Sequence, residues 1–345
     1  MSTPVTGTAG TAEGDNAEAI QAWDGPLFDR FVRFREIVTT GLGNHGDEAL
    51  RLFPPQPGQR VVDIGCGFGD TTQRIAGLVG PQGEAVGVDA APRFIEAAAL
   101  EAAEAGVSNA RFEVADVETA PVGGPYDMAF SRFGTMFFAN PVAALRNVRT
   151  GLVPGARLVM VVWRTRIDNE WMYRAQTIVE QIVSRPEEYD EPTCGPGPFS
   201  MANADTTSDI LQHAGYADVE LRRCDLPIVI GRDVEDALEF AMALGPAGEL
   251  LRLAGDRAAH LHDDVRQALR EGLREYETPD GIRAPASTWI ISAVAPDVMR
   301  GATSHRGEPP PRERKKQRRV RKLRDREAAW PANLAASPKL RDGAR

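Results

Sequence analysis

An apolar run that leads directly into three alternating glycines constrains this chain more than any other feature. Residues 61–70 read V-V-D-I-G-C-G-F-G-D, which predicts a buried strand followed by a turn at Gly65, Gly67 and Gly69. Glycines lack a Cβ, so they can adopt positive φ and let a ligand approach the backbone closely. A helix predicted from Asp70 to about Leu78 would direct its free N–H groups at the same ligand. The sequence therefore predicts a nucleotide-like ligand at this turn.

The spacing of the glycines excludes two common phosphate-binding loops. A dinucleotide fingerprint, G-x-G-x-x-G counted from Gly65, would need glycine where the chain has Asp70. A P-loop would close on Gly-Lys-Ser/Thr, whereas this turn closes on Asp70, Thr71 and Thr72 without a lysine. A carboxylate at this position repels a pyrophosphate but suits a cationic ligand.

Three further apolar segments each end in polar residues. They are residues 84–89, ending in Asp89; residues 110–115, followed by Asp116 and Val117; and residues 126–130, followed by Ser131. The Asp89 carboxylate can bind two ribose hydroxyls or cap the helix predicted from Pro92, and both roles can hold at once. Asp116 and the N–H of Val117 can meet the amino group and ring edge of adenine. Strands alternating with helices predict an α/β, doubly wound sheet with its ligand at the carboxyl ends of the strands.

These motifs resemble one enzyme family. Residues 63–69 resemble motif I of the class I S-adenosylmethionine-dependent methyltransferases, and residues 131–138 are similar to the ubiquinone/menaquinone biosynthesis C-methyltransferase group. Residues 152–163 look like the family's L-x-P-G-G-x-L segment and fifth strand, with Ala156 in place of the second glycine. The resemblance covers about residues 20–225.

The resemblance implies a fold, a cofactor and a set of site residues. The fold is a mostly parallel seven-stranded, Rossmann-like methyltransferase sheet in which strands six and seven pair as a hairpin, here with a helical insertion cap. The cofactor is S-adenosyl-L-methionine. The positions that match the family's cofactor site are Asp63, Gly65, Gly67, Gly69, Thr72, Asp89, Asp116, Val117 and Ser131.

Composition divides the chain into three parts. Residues 1–18 are predicted to be a disordered lead, residues 19–299 a methyltransferase domain, and residues 300–345 a basic disordered tail. Insertions are expected at about residues 165–200 and 232–278. A helix is predicted over residues 27–42, and its aromatic residues either pack on the core or, together with Trp23, roof the pocket.

Charge is distributed unevenly. The net charge of the chain is −9, but residues 300–345 carry 15 Lys+Arg against 5 Asp+Glu. The remaining 25 Lys+Arg and 44 Asp+Glu leave the rest of the chain at −19. Three interpretations of the tail remain open. It is a solvated disordered segment, a segment that binds nucleic acid or acidic lipid, or the product of out-of-frame or annexed coding sequence. An RNA-directed methyltransferase that uses this tail is therefore an alternative, and salt-dependent RNA binding lost on deletion of residues 301–345 would favour it.

The apolar runs and the cysteines of the sequence bear on membrane association and cellular location. No apolar run reaches the ~20 residues of a membrane span, so no integral membrane association is expected. Three scattered cysteines, Cys66, Cys194 and Cys224, predict neither a metal site nor a disulfide framework, and a cytoplasmic location is expected. The sequence leaves the oligomeric state undetermined, with a homodimer as one option.

The acceptor side of the pocket is less defined. Aromatic and thioether side chains near the expected pocket predict an apolar or aromatic small molecule as the acceptor, quinone-like or polyketide-like and methylated at carbon or oxygen. These side chains are Phe133, Met136, Phe137, Phe138, Trp171 and Met172. The acidic catalytic part of the chain disfavours nucleic acid as the acceptor. Candidates for a base are Asp168, Glu170, Tyr173 and His213; Arg132 is a candidate for holding an oxyanion or pairing with a local acid. No catalytic residue is assigned, and a cofactor-binding module without activity is a further alternative.

Overall fold

Parallel strands alternate with helices through the first half of the chain. The structure is a computed structural model that describes residues 13–183, 196–255 and 260–297. Eight strands form one sheet within these residues: β1 (Arg60–Ile64), β2 (Glu84–Asp89), β3 (Ala110–Val114), β4 (Tyr126–Arg132), β5 (Leu152–Trp163), β6 (Ala217–Gly231), β7 (Glu277–Thr278) and β8 (Gly281–Val294).

The strand order confirms the predicted doubly wound topology. Hydrogen bonding follows the order β3-β2-β1-β4-β5-β8-β6, in which β1 to β5 run parallel and β8 is antiparallel to both β5 and β6. The strand count is corrected from seven to eight because β7 pairs with the start of β8. With two residues, β7 is too short to show the alternation by which strands are read from sequence.

Eleven α-helices flank this sheet in the described residues. They are α1 (Glu13–Ala22), α2 (Phe28–Arg33), α3 (Gly43–Leu52), α4 (Asp70–Val79), α5 (Pro92–Glu104), α6 (Pro141–Thr150), α7 (Glu170–Ile182), α8 (Ala204–His213), α9 (Val234–Ala243), α10 (Pro246–Ala254) and α11 (His262–Leu273). Side chains cap several of them, as at α8, where Asn203 accepts a hydrogen bond from the N–H of Thr206 at 3.0 Å.

Both faces of the sheet are buried. On β1, Val61 packs with Ile75 of α4 on one face, whereas Val62 and Ile64 belong to the core of the other face. Successive side chains of a strand point to opposite faces, so a strand covered on both sides reads as a continuous apolar run. This pattern explains why the first strand is recognisable from the sequence.

A helical cap occupies the predicted insertion between β6 and β8. Helices α9, α10 and α11 bury one apolar face each and contact α7, which follows β5. Leu250, Val265, Leu269 and Leu273 of these helices are fully buried. The cap therefore rests on α7 and extends the core beyond the sheet.

The N-terminal residues differ from the prediction. Helix α1 begins at Glu13, so residues 13–18 of the predicted disordered lead are helical. The single helix predicted over residues 27–42 is broken, because α2 ends at Arg33, Phe34 has non-helical φ and ψ, and a π-helical turn spans Ile37–Gly41. Another π-helical turn, Trp23–Leu27, separates α1 from α2. Gly25 has non-helical φ and ψ and Pro26 follows it, which interrupts the regular helix.

Some predictions lie outside the described residues. Residues 1–12, the stretch 184–195 of the first insertion and the basic tail from 300 to 345 belong to this group. Within the described residues, no helix is long and apolar enough to cross a membrane. The same residues contain no cluster of His, Cys, Asp or Glu suited to a metal ion.

Candidate functional site

A cavity of about 1250 Å³ lies at the carboxyl ends of the parallel strands. Its wall includes the glycine loop, the ends of β2, β4 and β5, helix α7, the helical cap and residues of the 13–42 segment. This volume exceeds the roughly 300–1,000 Å³ of most ligand pockets. The cavity therefore has room for two ligands side by side.

The glycine loop forms one end of the cavity. Gly65 has a φ of 67° and Gly67 a φ of 53°, which is the left-handed region that other residues rarely adopt. A Cβ on Gly65 would lie 2.9 Å from the Cα of Gly134, whereas a Cβ on Gly67 would meet nothing closer than 3.9 Å. Gly65 is thus required by packing, and Gly67 leaves open space at the cavity wall.

Asp89 lines the cavity at the end of β2 and holds the loop. One carboxylate oxygen accepts the N–H of Gly67 at 3.0 Å, and the other accepts the N–H of Ala91 at 3.0 Å, where α5 begins. Burial raises the pKa of Asp89, while the N–H donors of Ala91 and Gly67 oppose that rise. Asp89 is therefore a capping residue that also presents its carboxylate at the cavity.

Asp116, which follows β3, lines the cavity, and its carboxylate accepts three hydrogen bonds. Its Oδ2 accepts the amide of Asn16 in α1 at 2.5 Å and the hydroxyl of Thr119 at 2.9 Å. Its Oδ1 accepts the N–H of Glu118 at 2.9 Å. Val117 also lines the cavity. Asn16 was not among the predicted site residues, because nothing in its local sequence marks a contact a hundred positions away.

Two other predicted cofactor residues, Asp63 and Thr72, lie behind the loop. Asp63 is 1% and Thr72 0% exposed, and neither lines the cavity. Asp63 shares a face of β1 with Val61, beneath α4, so its Oδ2 accepts the Thr72 hydroxyl at 2.7 Å. The pair joins strand to helix under the loop.

Ser131 and Gly69 also lie off the cavity wall. The buried Ser131 hydroxyl donates to the carbonyl of Ile64 at 2.7 Å, which ties β4 to the end of β1. Gly69 precedes α4, and a Cβ there would lie 2.5 Å from the ring of Phe112. These two residues shape the loop from outside the cavity.

The buried Asp63 gives stability a dependence on pH. Burial, with Asp70 and Asp89 nearby, raises its pKa to about 7, against about 3.9 in an unfolded chain. The native state therefore binds the extra proton, and the free energy of unfolding falls as pH rises through this window. Asp63→Asn cannot titrate and keeps an oxygen acceptor for Thr72. Between about pH 5 and 7, wild type should lose about 2 kcal/mol more than Asp63→Asn.

Denaturant unfolding of the ligand-free protein at several pH values measures this difference. Titrating groups that do not interact with Asp63 are unchanged in the variant and cancel in the comparison, whereas Asp70 and Asp89 belong to the measured difference. Parallel stability curves for wild type and Asp63→Asn would show that Asp63 binds no extra proton on folding.

Arg132 pairs with a local acid. Its guanidinium lines the cavity and donates to Asp70 at 2.7 Å, to Thr71 at 3.0 Å and to the carbonyls of Val38 and Thr39 at 3.3 and 3.4 Å. Burial raises the pKa of Asp70, and the charge of Arg132 acts against that rise. Of the two roles weighed for Arg132, pairing with a local acid is the one present in the structure.

Aromatic side chains form another part of the cavity wall. Phe133 stacks on Trp163 with ring centroids 4.2 Å apart, and Trp171 stacks on Phe240 of α9 at 5.5 Å. All four line the cavity, as do the remaining predicted acceptor-side residues Met136, Phe137, Phe138 and Met172. This part of the cavity wall suits a flat apolar ligand.

The 13–42 segment covers part of the cavity. Trp23 and Phe31 line it, and the Trp23 ring contacts Phe137 at 4.9 Å. Phe28 instead packs edge-on against Phe94 of α5 at 4.9 Å. Both alternatives that the sequence left open therefore hold in part: Trp23 and Phe31 roof the cavity, whereas Phe28 and Phe34 serve as packing.

Most candidate bases lie away from the cavity. Asp168 accepts the Thr165 hydroxyl and lies 3.4 Å from Arg164, and neither it nor Glu170 lines the cavity. His213 is exposed at the end of α8, and its Nδ1 lies 2.7 Å from the carbonyl of Asp209. Tyr173 is the only one of the four candidates that lines the cavity.

Comparison with known proteins finds that part of this chain is similar to methyltransferases. A family model described as a methyltransferase domain matches residues 55–215. The chain is 36% identical over 116 residues to aklanonic acid methyltransferase DauC of Streptomyces sp. (strain C5), covering 33% of this chain and 52% of that protein. It is 29% identical over 198 residues to nocamycin O-methyltransferase of Saccharothrix syringae, covering 52% and 66%.

A third relative is a quinone-pathway enzyme. The chain is 34% identical over 114 residues to the ubiquinone/menaquinone biosynthesis C-methyltransferase UbiE of Ectopseudomonas mendocina (strain ymp), covering 32% of this chain and 44% of that protein. The matches thus span between 44% and 66% of the length of these three relatives. Residues 55–215 of this chain are therefore similar to methyltransferase domains.

Proposed function

We propose that this protein transfers a methyl group from S-adenosylmethionine to an apolar, aromatic small molecule with a quinone-like or polyketide-like ring. One observation carries the proposal: a single cavity joins the glycine loop and its carboxylates to an aromatic wall. The names of the relatives support it, since they describe methylation of aklanonic acid, nocamycin and quinones.

The cofactor would occupy the acidic end of the cavity. Asp89 would bind the ribose hydroxyls and Asp116, with Val117, the adenine edge. At Gly65 and Gly67 the backbone would lie close to the cofactor, because these residues have no side chain. Asp70, Asp89, Asp116 and Glu118 all line the cavity, and their negative charge favours a sulfonium cation over an anionic dinucleotide.

Asp63, Thr72, Ser131 and Gly69 would support this site without touching the cofactor. Their hydrogen bonds and packing hold the loop between β1, β4 and α4. Loop geometry within about 0.5 Å decides whether a ligand can be bound productively. We therefore assign these four predicted residues a positioning role.

The reaction would be an in-line displacement. S-adenosylmethionine, held by Asp89, Asp116 and Val117, would supply a methyl group on a sulfonium sulfur. The acceptor's nucleophilic carbon or oxygen would bond to the methyl carbon as the carbon–sulfur bond breaks, with the neutral thioether as the leaving group. The acceptor's proton passes to solvent or a base. Positive charge disperses in this step, so catalysis depends on aligning two reactants and excluding water. The stacked aromatic rings would fix the plane of the acceptor, and the roof of residues 13–42 would exclude water.

Calorimetric titration of the full chain with S-adenosylmethionine and, separately, NADH tests the cofactor assignment. We expect micromolar binding of S-adenosylmethionine and none of NADH. Incubation with methyl-labelled S-adenosylmethionine and a panel of hydroxylated quinones then tests transfer. Folded protein that binds neither cofactor contradicts the proposal, and cofactor binding without turnover on any acceptor would favour the non-catalytic module.

A further inference from the structure

Among the described residues, three arginines line the cavity, and they differ in their partners. Arg132 is bound to Asp70, and Arg166 donates to the side-chain oxygen of Gln176 at 2.6 Å. The guanidinium of Arg30 is half-buried, and it makes no hydrogen bond or ion pair with the described residues. A guanidinium carries five N–H donors in a planar fork, so Arg30 presents an unused fork to the cavity.

Arg30 faces the cap end of the cavity. It lies in α2, where Phe31 contacts Phe94 beside the glycine loop at 6.0 Å. The other side of the same segment meets the cap, because Arg33 pairs with Glu239 at 2.8 Å and Phe34 contacts Phe240 of α9 at 5.5 Å. Arg30 lies one helical turn before this second group.

The nearest cap carboxylate is already occupied. Glu249 of α10 lines the cavity, and its charge interacts with that of Arg30. Both of its oxygens nevertheless accept from Arg252, at 2.8 and 2.6 Å, and this pairing is the main reason that the pKa of Glu249 is lowered. Among the described residues, the group of Arg30, Arg252 and Glu249 therefore carries one positive charge in excess.

The cavity is thus polarised along its length. At the glycine-loop end, Asp70 is paired with Arg132, and Asp89, Asp116 and Glu118 supply three further carboxylates, whereas the cap end carries the cation of Arg30. The wall between them is largely aromatic and apolar. Removing a cation from water is costly unless an opposite charge compensates it, so a ligand anion that reaches Arg30 gains a strong interaction.

We propose that Arg30 is a specificity-determining residue that binds an acidic oxygen of the acceptor through paired N–H···O hydrogen bonds. The acceptor class narrows accordingly to flat aromatic molecules that carry a carboxylate or an ionised enol or phenol. The acidic group anchors at the cap end, and its charge is repelled from the carboxylates near the cofactor. This inference rests on the proposed function, because it concerns the acceptor of that reaction.

Two matched probes test the role of Arg30: anthraquinone-2-carboxylate and the neutral anthraquinone-2-carboxamide. Trp23, Trp163 and Trp171 line the cavity, so a bound quinone should quench their fluorescence. In wild type saturated with S-adenosylmethionine, we expect the carboxylate to bind about 10–100-fold more tightly than the amide. Arg30→Gln should abolish this preference by weakening the carboxylate alone. Arg33→Gln is the control, since Arg33 lies on the same helix outside the cavity.

Each other outcome contradicts the inference in a distinguishable way. Equal binding of both probes by wild type, or a preference that persists in Arg30→Gln, rejects the role of Arg30 and leaves the acceptor class standing. A preference lost equally in Arg33→Gln shows an indirect effect on the segment. Binding of neither probe by protein that binds S-adenosylmethionine rejects both Arg30 and the quinone-like acceptor.

Discussion

Replacing Asp89 with alanine should weaken S-adenosylmethionine binding by about 10²-fold or more, because hydrogen bonds to a charged group contribute ~1.5–3 kcal/mol each and two ribose hydroxyls would lose their acceptor. The same change removes the acceptors of the Gly67 and Ala91 N–H groups. Those lost bonds hold the loop and the start of α5, so stability should also fall. Calorimetric titration measures the first effect and denaturant unfolding of the ligand-free protein the second.

Two variants separate the roles of Asp89. Asp89→Asn keeps one oxygen acceptor of similar shape and should bind the cofactor with intermediate affinity. Glu84→Ala changes a carboxylate at the opposite end of β2, where it pairs with Arg60 at 2.5 Å, and should leave cofactor affinity unchanged. If folded Asp89→Ala binds S-adenosylmethionine as tightly as wild type, Asp89 does not contact the ribose.

Gly65→Ala should mainly lower the stability of the protein, whereas Gly67→Ala should mainly lower its affinity for the cofactor. At Gly65 the new Cβ would lie 2.9 Å from the Gly134 backbone, which cannot yield cheaply. With the cost of a left-handed backbone added, Gly65→Ala should lower the free energy of unfolding by about 2–4 kcal/mol. Gly67→Ala should cost only about 1 kcal/mol, because its nearest neighbour would be 3.9 Å away. Its Cβ would instead reduce cofactor affinity, by about tenfold or more, by occupying the cavity wall.

Gly58→Ala supplies the reference for both variants. Gly58 has a φ of 83°, and a Cβ added there would meet no atom within 4 Å, so this variant measures the cost of positive φ alone. Denaturant unfolding ranks the three variants, and titration with S-adenosylmethionine gives their affinities. If Gly65→Ala and Gly58→Ala lose the same stability, the backbone at Gly134 moves to accommodate the new Cβ. If Gly67→Ala binds S-adenosylmethionine as tightly as wild type, the cofactor does not lie against Gly67.

The sequence predicts strands, turns and polar strand ends better than it predicts the direction in which a side chain points. The loop at Gly65 and the carboxylates Asp89 and Asp116 were predicted from local patterns, and the strand at residues 152–163 from the family resemblance. The structure has them at the cavity or in the sheet. Each depends on short-range physics: apolar runs for buried strands, glycines for positive φ, and polar residues at strand ends.

The direction in which Asp63 points was not predictable in the same way. Motif resemblance grouped Asp63, Thr72 and Ser131 with the cavity-lining residues, although they are buried behind the loop. Which face of β1 is covered by α4 is decided by how the chain crosses over the sheet. A residue's position in a motif does not contain that information.

The amino-acid sequence by itself determined the order of strands and helices, the glycine loop and the acidic strand ends, because each follows from propensities and spacing within about twenty residues. Only the tertiary structure decided that α1 and α2 roof the cavity, that Asn16 meets Asp116 and that β7 adds a strand. It also decided that Arg132 pairs with Asp70, whereas Arg30 has no such partner in the part of the chain that the structure describes. These features depend on contacts between residues far apart in the chain, and the free energy of such contacts appears only when the whole core packs.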